Sequence, residues 1–454
     1  MQGMRPVPRR RLLAALAGAV AAGAAAPASA RDALSSIIDA TALGLRPNAA
    51  EDQSGVLQRA IDRAAAAGAV LNLPAGIYRA GGLQLPRYAA VAGVPGATRI
   101  VMASGPSLLS ATGSDHVSLQ GLVLDGANIP LPDRRGLVHI AQARALRIAD
   151  CEITAAGRHG IALEVCDGEV IGTTVSAADA AIFSLDARGL RIAGNTVRGA
   201  GNGGILVWRS KAGDDGTLIV DNHIDNVANR SGGSGQYGNA INVFRANNVM
   251  VRGNRIATAA FSAVRGNAAS NLQILGNTCS AIGEVALYAE FGFEGAVIAN
   301  NIVDGAAVGV SVTNFKEGGR LAVVQGNLIR NLKSRRPAGT DPNDGAGIGI
   351  GVEADTAVTG NVIENAPFIG IAAGYGQYLR DVTVNANVIR GADYGIAVSV
   401  APGAGAAVIA DNMISGARRA AIVGMDWNKP ATGDLSQDGA ARYAQLSVSG
   451  NRVR

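Results

Sequence analysis

The sequence predicts an all-β chain folded as a parallel β-helix, a solenoid in which short strands stack coil upon coil. One phrase recurs along the chain: an apolar residue, two others, Asn, any residue, then an apolar residue, as in Val251–Ile256 and Val358–Ile363. Around this phrase, apolar and other residues alternate with the period of a strand. The asparagine returns every 23 to 39 residues, a spacing that indicates a repeat architecture, at Asn195, Asn222, Asn254, Asn277, Asn300, Asn327, Asn361, Asn387, Asn412 and Asn451.

The recurring asparagine has a physical role in such a fold. Runs of three to five residues are too short to form a stable sheet alone, so each must stack on its copy in the next coil. An inward amide without a partner would cost about 2–7 kcal/mol. Stacked at about 4.8 Å, each amide instead donates to one neighbour and accepts from the other. We therefore expect a ladder of asparagine side chains along the axis.

This repeat resembles the right-handed parallel β-helix of the pectate-lyase-like superfamily, with its asparagine ladder at the second turn of each coil. The resemblance covers roughly residues 32–454. It implies a single-stranded right-handed parallel β-helix with an N-terminal capping helix. It does not indicate one reaction, because that fold hosts lyases, hydrolases, epimerases and inert shafts.

Residues 1–30 are predicted to be an export signal. Arg9-Arg10-Arg11-Leu12-Leu13 precedes an apolar run, and Ala28-Ser29-Ala30 is a small-residue cleavage site. The paired arginines followed by leucines resemble a twin-arginine signal, with an ordinary Sec signal as the alternative. The whole chain resembles an uncharacterised bacterial family of twin-arginine-translocated repetitive proteins. This resemblance implies that residues 1–30 contact the twin-arginine export machinery and that the protein is periplasmic or secreted.

The mature chain divides into an N-terminal cap over residues 31–110 and coils over residues 111–454. The cap contains one amphipathic helix over residues 52–67, started by Asp52 or Ser54 and ended by Gly68. This helix would cover the open edge of the first coil. At the other end, the polar stretch 426–442 either folds over the last coil or leaves that coil to be buried in an oligomer.

The net charge excludes one class of partner. The chain carries a formal charge of +5, but four arginines and no acidic residue lie within residues 1–30, which leaves 5 − 4 = +1. A nearly neutral mature chain gives no electrostatic reason to bind nucleic acid.

Long turns on both sides of one strand column predict a groove along it. Outward positions there are polar on three adjacent coils, and we expect Arg265, Tyr288 and Glu290 to be the catalytic residues. Side chains around them are expected to bind substrate, namely Trp208, Arg209, Asn242, Arg245 and Asn267. Arginine pairs well with carboxylates and aromatic rings provide stacking surfaces, so the predicted partner is an acidic polysaccharide.

The chemistry in this groove stays open. For a lyase or epimerase, Arg265 would stabilise enolate-like charge, Tyr288 would act as acid or base, and Glu290 would orient Arg265 or act as base. Hydrolysis requires a carboxylate pair, and the sequence shows no second carboxylate near Glu290 on this face. The rival hypotheses are a non-catalytic periplasmic or surface protein that binds envelope glycan or a protein partner, and cross-strand pairs that only solvate the face.

Two further motifs are assigned to turns. Gly157-Arg158-His159-Gly160 resembles the Gly-His-Gly motif of polygalacturonases, but that family's paired Asp and Arg-x-Lys are absent and Asp179 stands alone. Asp214-Asp215-Gly216 and Asp341–Gly345 look like fragments of calcium loops without the full spacing. Because Asp-Gly is ordinary turn chemistry, we predict no metal and no cofactor, with a bound calcium as the less favoured alternative.

Overall fold

Three columns of parallel strands build the protein. The computed structural model describes residues 36–233, 235–340 and 344–454. Strands of successive coils pair in register, which confirms the predicted parallel β-helix. The first column precedes the asparagine turn and comprises Ile37–Asp39, Val70–Leu73, Ala90–Gly93, Ser118–Gln120, Leu146–Ala149, Gly168–Ile171, Arg191–Ala193, Leu218–Val220, Met250–Arg252, Leu272–Leu275, Glu294–Ala299, Arg320–Gln325, Ala354–Thr359, Arg380–Asn385, Ala407–Ala410 and Leu446–Ser449.

The second and third columns follow the asparagine turn. The second column comprises Gly76–Ala80, Thr98–Met102, Val123–Asp125, Glu152–Thr154, Thr174–Ser176, Thr196–Arg198, His223–Val227, Arg255–Ala259, Thr278–Ser280, Ile302–Asp304, Leu328–Arg330 and Arg452–Val453. The third comprises Leu83–Gln84, Leu109–Thr112, Gly136–Ala141, His159–Glu164, Ala180–Leu185, Gly203–Asp214, Asn239–Asn247, Val264–Asn267, Val285–Glu290, Val308–Val312 and Ile348–Val352. In the last coils one long strand runs through both columns, in Val362–Ala373, Val388–Ser399 and Met413–Asp426.

The interior is a narrow aliphatic core. From Glu152–Thr154 to Met413–Asp426, each strand that follows the asparagine turn points its second residue inward, because successive side chains of a strand alternate between faces. These residues are at most 2% exposed, and they are Ile153, Val175, Val197, Ile224, Ile256, Cys279, Val303, Ile329, Ile363, Ile389 and Ile414. Stacking thus buries side chains that no single coil could cover.

The asparagine ladder is present and continuous from Asn195 to Asn451. The Nδ2 of each asparagine donates to the Oδ1 of the next at 2.9–3.0 Å. The same Nδ2 also donates to a backbone carbonyl, as Asn277 does to Val251 at 3.0 Å. Upstream, the backbone N–H of Thr173 donates to Oδ1 of Asn195 at 3.0 Å, so Thr173 takes the ladder position one coil earlier.

One member of the predicted ladder is wrong. The ladder residue of that coil is Asn301, which is 1% exposed, and not Asn300, which is exposed. Asn300 has φ +58°, the left-handed conformation that glycine adopts just before the ladder position at Gly253, Gly276 and Gly326. Asparagine tolerates this conformation better than most residues. Two adjacent asparagines therefore fill two different positions of one turn.

The predicted helix spans Ser54–Ala66 and packs on the first coils. Leu57, Ala60, Ile61 and Ala64 are its buried face, as the sequence pattern indicates. Asp52 accepts a hydrogen bond from the backbone N–H of Ser54 at 2.8 Å, which satisfies one free donor of the first turn. Strands before residue 111 already pair in register with later ones, so the coils around the helix continue those of residues 111–454.

The C-terminal stretch folds back on the last coil. Strand Lys429–Asp434 pairs antiparallel with Met413–Asp426, and the short helix Leu435–Asp438 follows. Leu435 is 4% exposed and belongs to the main core cluster, so this segment packs against the interior. Two short 3₁₀ helices, Ala40–Leu43 and Phe315–Glu317, complete the described elements.

Some sequence predictions lie outside the described residues. The export signal over residues 1–30 is one, and most of the Asp341–Gly345 motif is another. Within residues 36–233, 235–340 and 344–454, no helix is long and apolar enough to cross a membrane.

Candidate functional site

The third column places the predicted residues side by side, in the register expected from the sequence. Asn242 pairs with Arg265 and Arg265 with Tyr288, while Asn267 pairs with Glu290. These side chains leave the outer face of three adjacent coils, about 4.8 Å apart. The polar set is therefore one contiguous cluster.

The cluster is closed on itself. Arg265 donates to Glu290 through Nε at 2.7 Å and Nη2 at 3.0 Å, and Asn267 donates to the same carboxylate at 2.8 Å. Arg265 is 7% exposed and Glu290 2%. This bidentate contact holds both charged groups in place. The Arg265 guanidinium therefore binds Glu290 and is shielded from solvent. Arg265 and Glu290, which the sequence predicts to be catalytic, are therefore not exposed together in a solvent-open groove.

Two further members of this cluster were missed at the sequence level. Glu284, 3% exposed, places Oε2 3.6 Å from Nη1 of Arg265 and accepts from Nη1 of Arg336 at 2.9 Å. Burial raises the pKa of Glu284, while both arginines oppose that shift. Arg336 comes from the long turn after Leu332, so only the fold brings it near Arg265. The sequence could have indicated Glu284, because this residue directly precedes the strand Val285–Glu290 that carries Tyr288 and Glu290.

Tyr288 is the member of the predicted catalytic set that reaches a cavity. Its ring lies under the Arg265 guanidinium, 5.1 Å from ring centroid to Cζ. Burial raises the pKa of Tyr288 well above its ordinary value, and the charge of Glu290 adds to that shift. The phenol is therefore protonated at neutral pH.

On one side of the cluster lies a cavity of about 430 Å³, here called the His159 cavity. Aromatic rings line it in sequence along the axis: His159 to Phe183 at 5.0 Å, Phe183 to Trp208 at 5.4 Å and Trp208 to Phe244 at 6.0 Å between centroids. The rim is charged and includes Asp133, Arg134, Arg158, Asp179 and Arg209.

Several nitrogens of this cavity have no hydrogen-bond partner within the described residues. They are Nε of Arg158, Nδ1 of His159 and Nε of Arg209. These nitrogens lie beneath the surface of the cavity, where polar atoms are normally hydrogen-bonded. Burial lowers the pKa of His159 to about 4, which leaves its ring neutral at pH 7.

His159 and Asp179 belong to this cavity together with Asp133. Arg158 holds both carboxylates, with Nη2 3.0 Å from Asp133 and Nη1 3.9 Å from Asp179. Asp179 also accepts from Asn202. Asp133 is thus a second carboxylate that the sequence spacing did not indicate, because it lies on an irregular turn two coils away from Asp179.

Some of the predicted substrate-binding residues line the His159 cavity, and others contact the residues that line it. Trp208 and Arg209 line the His159 cavity. Asn242 lies beneath and accepts from the indole Nε1 of Trp208 at 2.8 Å, so it orients that ring. Arg245 lies over the Phe244 ring, 4.7 Å from its centroid, and donates to the Ser210 carbonyl at 3.2 Å.

On the other side of the cluster lies a second cavity of about 420 Å³, here called the Tyr288 cavity. Small residues paired in register form its floor, namely Ser311, Gly351, Ala372 and Ala397. Its walls include Arg336, Glu353, Phe368, Tyr375 and Trp427. Five coil steps separate Leu206 from Gly351, about 24 Å at the usual strand spacing.

A larger concavity of about 680 Å³ lies on the first column. Its lining contains Asp355 and Asp381 but no arginine, lysine or histidine. It therefore does not suit an acidic ligand, and the third column remains the candidate site.

Comparison with known proteins supports the fold. No protein-family model and no curated protein sequence matches the chain. The N-terminal fragment of bacteriophage Phi29 gene product 12 is similar at TM-score 0.52 and 17% identity, over 85% of this chain and 68% of that one. The A-module of Azotobacter vinelandii mannuronan C-5 epimerase AlgE6 has TM-score 0.43 and 15% identity over 92% and 99%. The Streptococcus pneumoniae surface adhesin PfbA has 0.42 and 14% over 88% and 95%.

Strand topology and the likeness to the Phi29 fragment define the fold class. The chain is a right-handed parallel β-helix. At such identities the likeness shows the fold alone, and function must be argued from the site.

Proposed function

We propose that this protein binds an acidic polysaccharide along the third strand column. The observation that carries the proposal is the His159 cavity, where an aromatic row and the side chains of Arg134, Arg158 and Arg209 share one concave surface. Rings present flat apolar faces to a sugar, and N–H groups donate to its hydroxyl and carboxylate oxygens. A few polar groups in a largely apolar cleft are typical of binding sites for small ligands.

The acidic character of the ligand follows from the arginines. Arg134, Arg158 and Arg209 line the His159 cavity, and Arg336 lines the Tyr288 cavity. Guanidinium groups bind carboxylates in a planar, bidentate manner. A uronate-containing chain lying along the axis would meet these arginines at the His159 cavity, whereas Arg336 at the Tyr288 cavity is already paired with Glu284 and Asp344.

The closed cluster has a positioning role in this proposal. Arg265, Glu290 and Glu284 lie between the two cavities and hold Tyr288 and Arg336 at the edge of the second. Such a network fixes the surface over which the glycan passes. Export through the twin-arginine route would place the protein where envelope or extracellular polysaccharides occur, and this remains a prediction from residues 1–30.

Trp208→Ala is expected to weaken binding of polygalacturonate or alginate about tenfold, a loss of about 1.4 kcal/mol. The indole is an inner ring of the aromatic row, between Phe183 and Phe244, and is held by Asn242. Isothermal titration calorimetry measures the effect, and unsaturated or reducing ends in the same samples would report cleavage.

The matched control is Tyr88→Ala, which removes an aromatic side chain that is 51% exposed on the turn between strands Leu83–Gln84 and Ala90–Gly93 and lines neither cavity. The Tyr88→Ala variant is expected to bind polygalacturonate or alginate with the same affinity as the unchanged protein. A neutral glucan serves as the second control. Equal affinities of the Trp208→Ala and unchanged proteins for every acidic polysaccharide would refute the His159 cavity as the binding site.

A further inference from the structure

An exposed apolar stripe runs along the second column over five consecutive coils. Its members are the residues directly after the ladder asparagine, paired in register as Ile302, Leu328, Val362, Val388 and Met413. Four of them are 39–43% exposed, and Leu328 is half-buried. Four strand spacings give the stripe a length of about 19 Å.

The fold does not require apolar residues at this position. The six coils before the stripe and the coil after it place polar residues there, namely Glu152, Thr174, Thr196, His223, Arg255, Thr278 and Arg452. The apolar stripe therefore begins and ends sharply within one solenoid. A bounded exposed apolar patch is typical of a surface that contacts another molecule.

A row of charges runs beside the stripe on the same face. Two positions further along each strand lie Asp304, Arg330, Glu364 and Arg390, which pair in register. Their signs alternate along the axis as minus, plus, minus, plus. Asp304 and Arg330 form an ion pair of 2.9 Å, and both are partly exposed.

We propose that this face binds a second copy of the chain about a two-fold axis parallel to the strands, between the coils of Leu328 and Val362. Reversing the axis of the second copy inverts the order of the charges. Asp304 then faces the partner's Arg390, and Arg330 faces the partner's Glu364. The stripes meet as well, with Leu328 against the partner's Val362. An isologous contact of this kind is self-complementary in both shape and charge.

The charges favour a second copy over other occupants. An anionic lipid surface selects a basic face, whereas this row has no net charge. The face belongs to the second column, so the third column stays open to a ligand, and the dimer is independent of the proposed glycan binding. Because the patch is small, the dimer is reversible and belongs to the weak end of specific interfaces.

Sedimentation velocity of the purified chain over about 5–200 µM tests the proposal, a range suited to a weak interface. We expect the weight-average sedimentation coefficient to rise toward that of a dimer. Val362→Arg is expected to keep the chain monomeric throughout, whereas Thr196→Arg, at the same strand position six coils away, leaves the rise unchanged. A monomer at every concentration, or a Val362→Arg chain that still dimerises, would overturn the proposal.

A charge exchange tests the antiparallel arrangement itself. Arg330→Glu and Glu364→Arg each place like charges opposite one another twice in the dimer and are expected to weaken it at least tenfold. The double variant restores opposite signs at every facing pair and is expected to regain most of the affinity. Thermal melting shows that each variant is folded. A double variant no better than the folded single variants would exclude this two-fold arrangement.

Discussion

Asn277→Ala is expected to lower the free energy of unfolding by about 3 kcal/mol, whereas Asn451→Ala lowers it by about 1 kcal/mol or less. Asn277 lies in the middle of the ladder. Its Oδ1 accepts from the backbone N–H and the side chain of Asn254, and its Nδ2 donates to Val251 and Asn301. The substitution leaves the buried N–H of Asn254 without a partner, and a buried unsatisfied donor costs about 1–3 kcal/mol.

Asn451 is the matched control because it makes the same kind of contacts at the end of the ladder. Its Oδ1 accepts from Asn412, but it is only half-buried, so water can replace the lost bonds. Urea titration followed by circular dichroism measures both variants. Equal shifts in the unfolding midpoint would contradict a ladder whose buried interior matters more than its end.

Glu290→Ala is expected to destabilise the protein by about 3 kcal/mol. It removes the bidentate partner of Arg265 and the acceptor of Asn267, in a place where the Arg265 side chain is 9% exposed. A buried charge that loses its partner carries a desolvation penalty that the folded state must bear. Glu284, 3.6 Å from Arg265, still offsets part of the Arg265 charge in the variant and so limits the loss of stability.

An exposed ion pair provides the control for this prediction. Asp393 accepts from Arg418 at 2.7 Å, with side chains 24% and 54% exposed, and Asp393→Ala is expected to cost about 1 kcal/mol or less. Thermal and urea denaturation compare the two variants. A Glu290→Ala protein as stable as the Asp393→Ala protein would show that the cluster does not hold the centre of the third column.

The fold was predictable because the same local pattern is repeated in every coil. Alternation of apolar residues fixes which side chains point inward, and the asparagine marks one turn, so the register of neighbouring coils follows directly. That register correctly placed Arg265 beside Tyr288 and Asn267 beside Glu290. The exchange of Asn300 for Asn301 was avoidable, since Asn301 fits the recurring phrase that ends at Val303.

Whether the side chains of the site are exposed or covered was less predictable. Strand alternation indicates that a side chain leaves the outer face, but it does not show whether a turn then covers it. Arg336 reaches Glu284 from a turn about fifty residues later in the chain, and this contact closes the cluster that the sequence presented as open. The His159 cavity likewise depends on Asp133 and Arg158 from irregular turns, whose conformation no repeat specifies.

The most direct test of glycan binding along the third column uses the protein's own fluorescence. The chain has two tryptophans, and Trp208 lines the His159 cavity while Trp427 lines the Tyr288 cavity. Trp208→Phe and Trp427→Phe each leave one reporter in one cavity. Titration with a long polyuronate is expected to change the emission of both variants at the same ligand concentration, because one chain covers both cavities. Emission that stays constant in both variants up to saturating polyuronate would contradict the account.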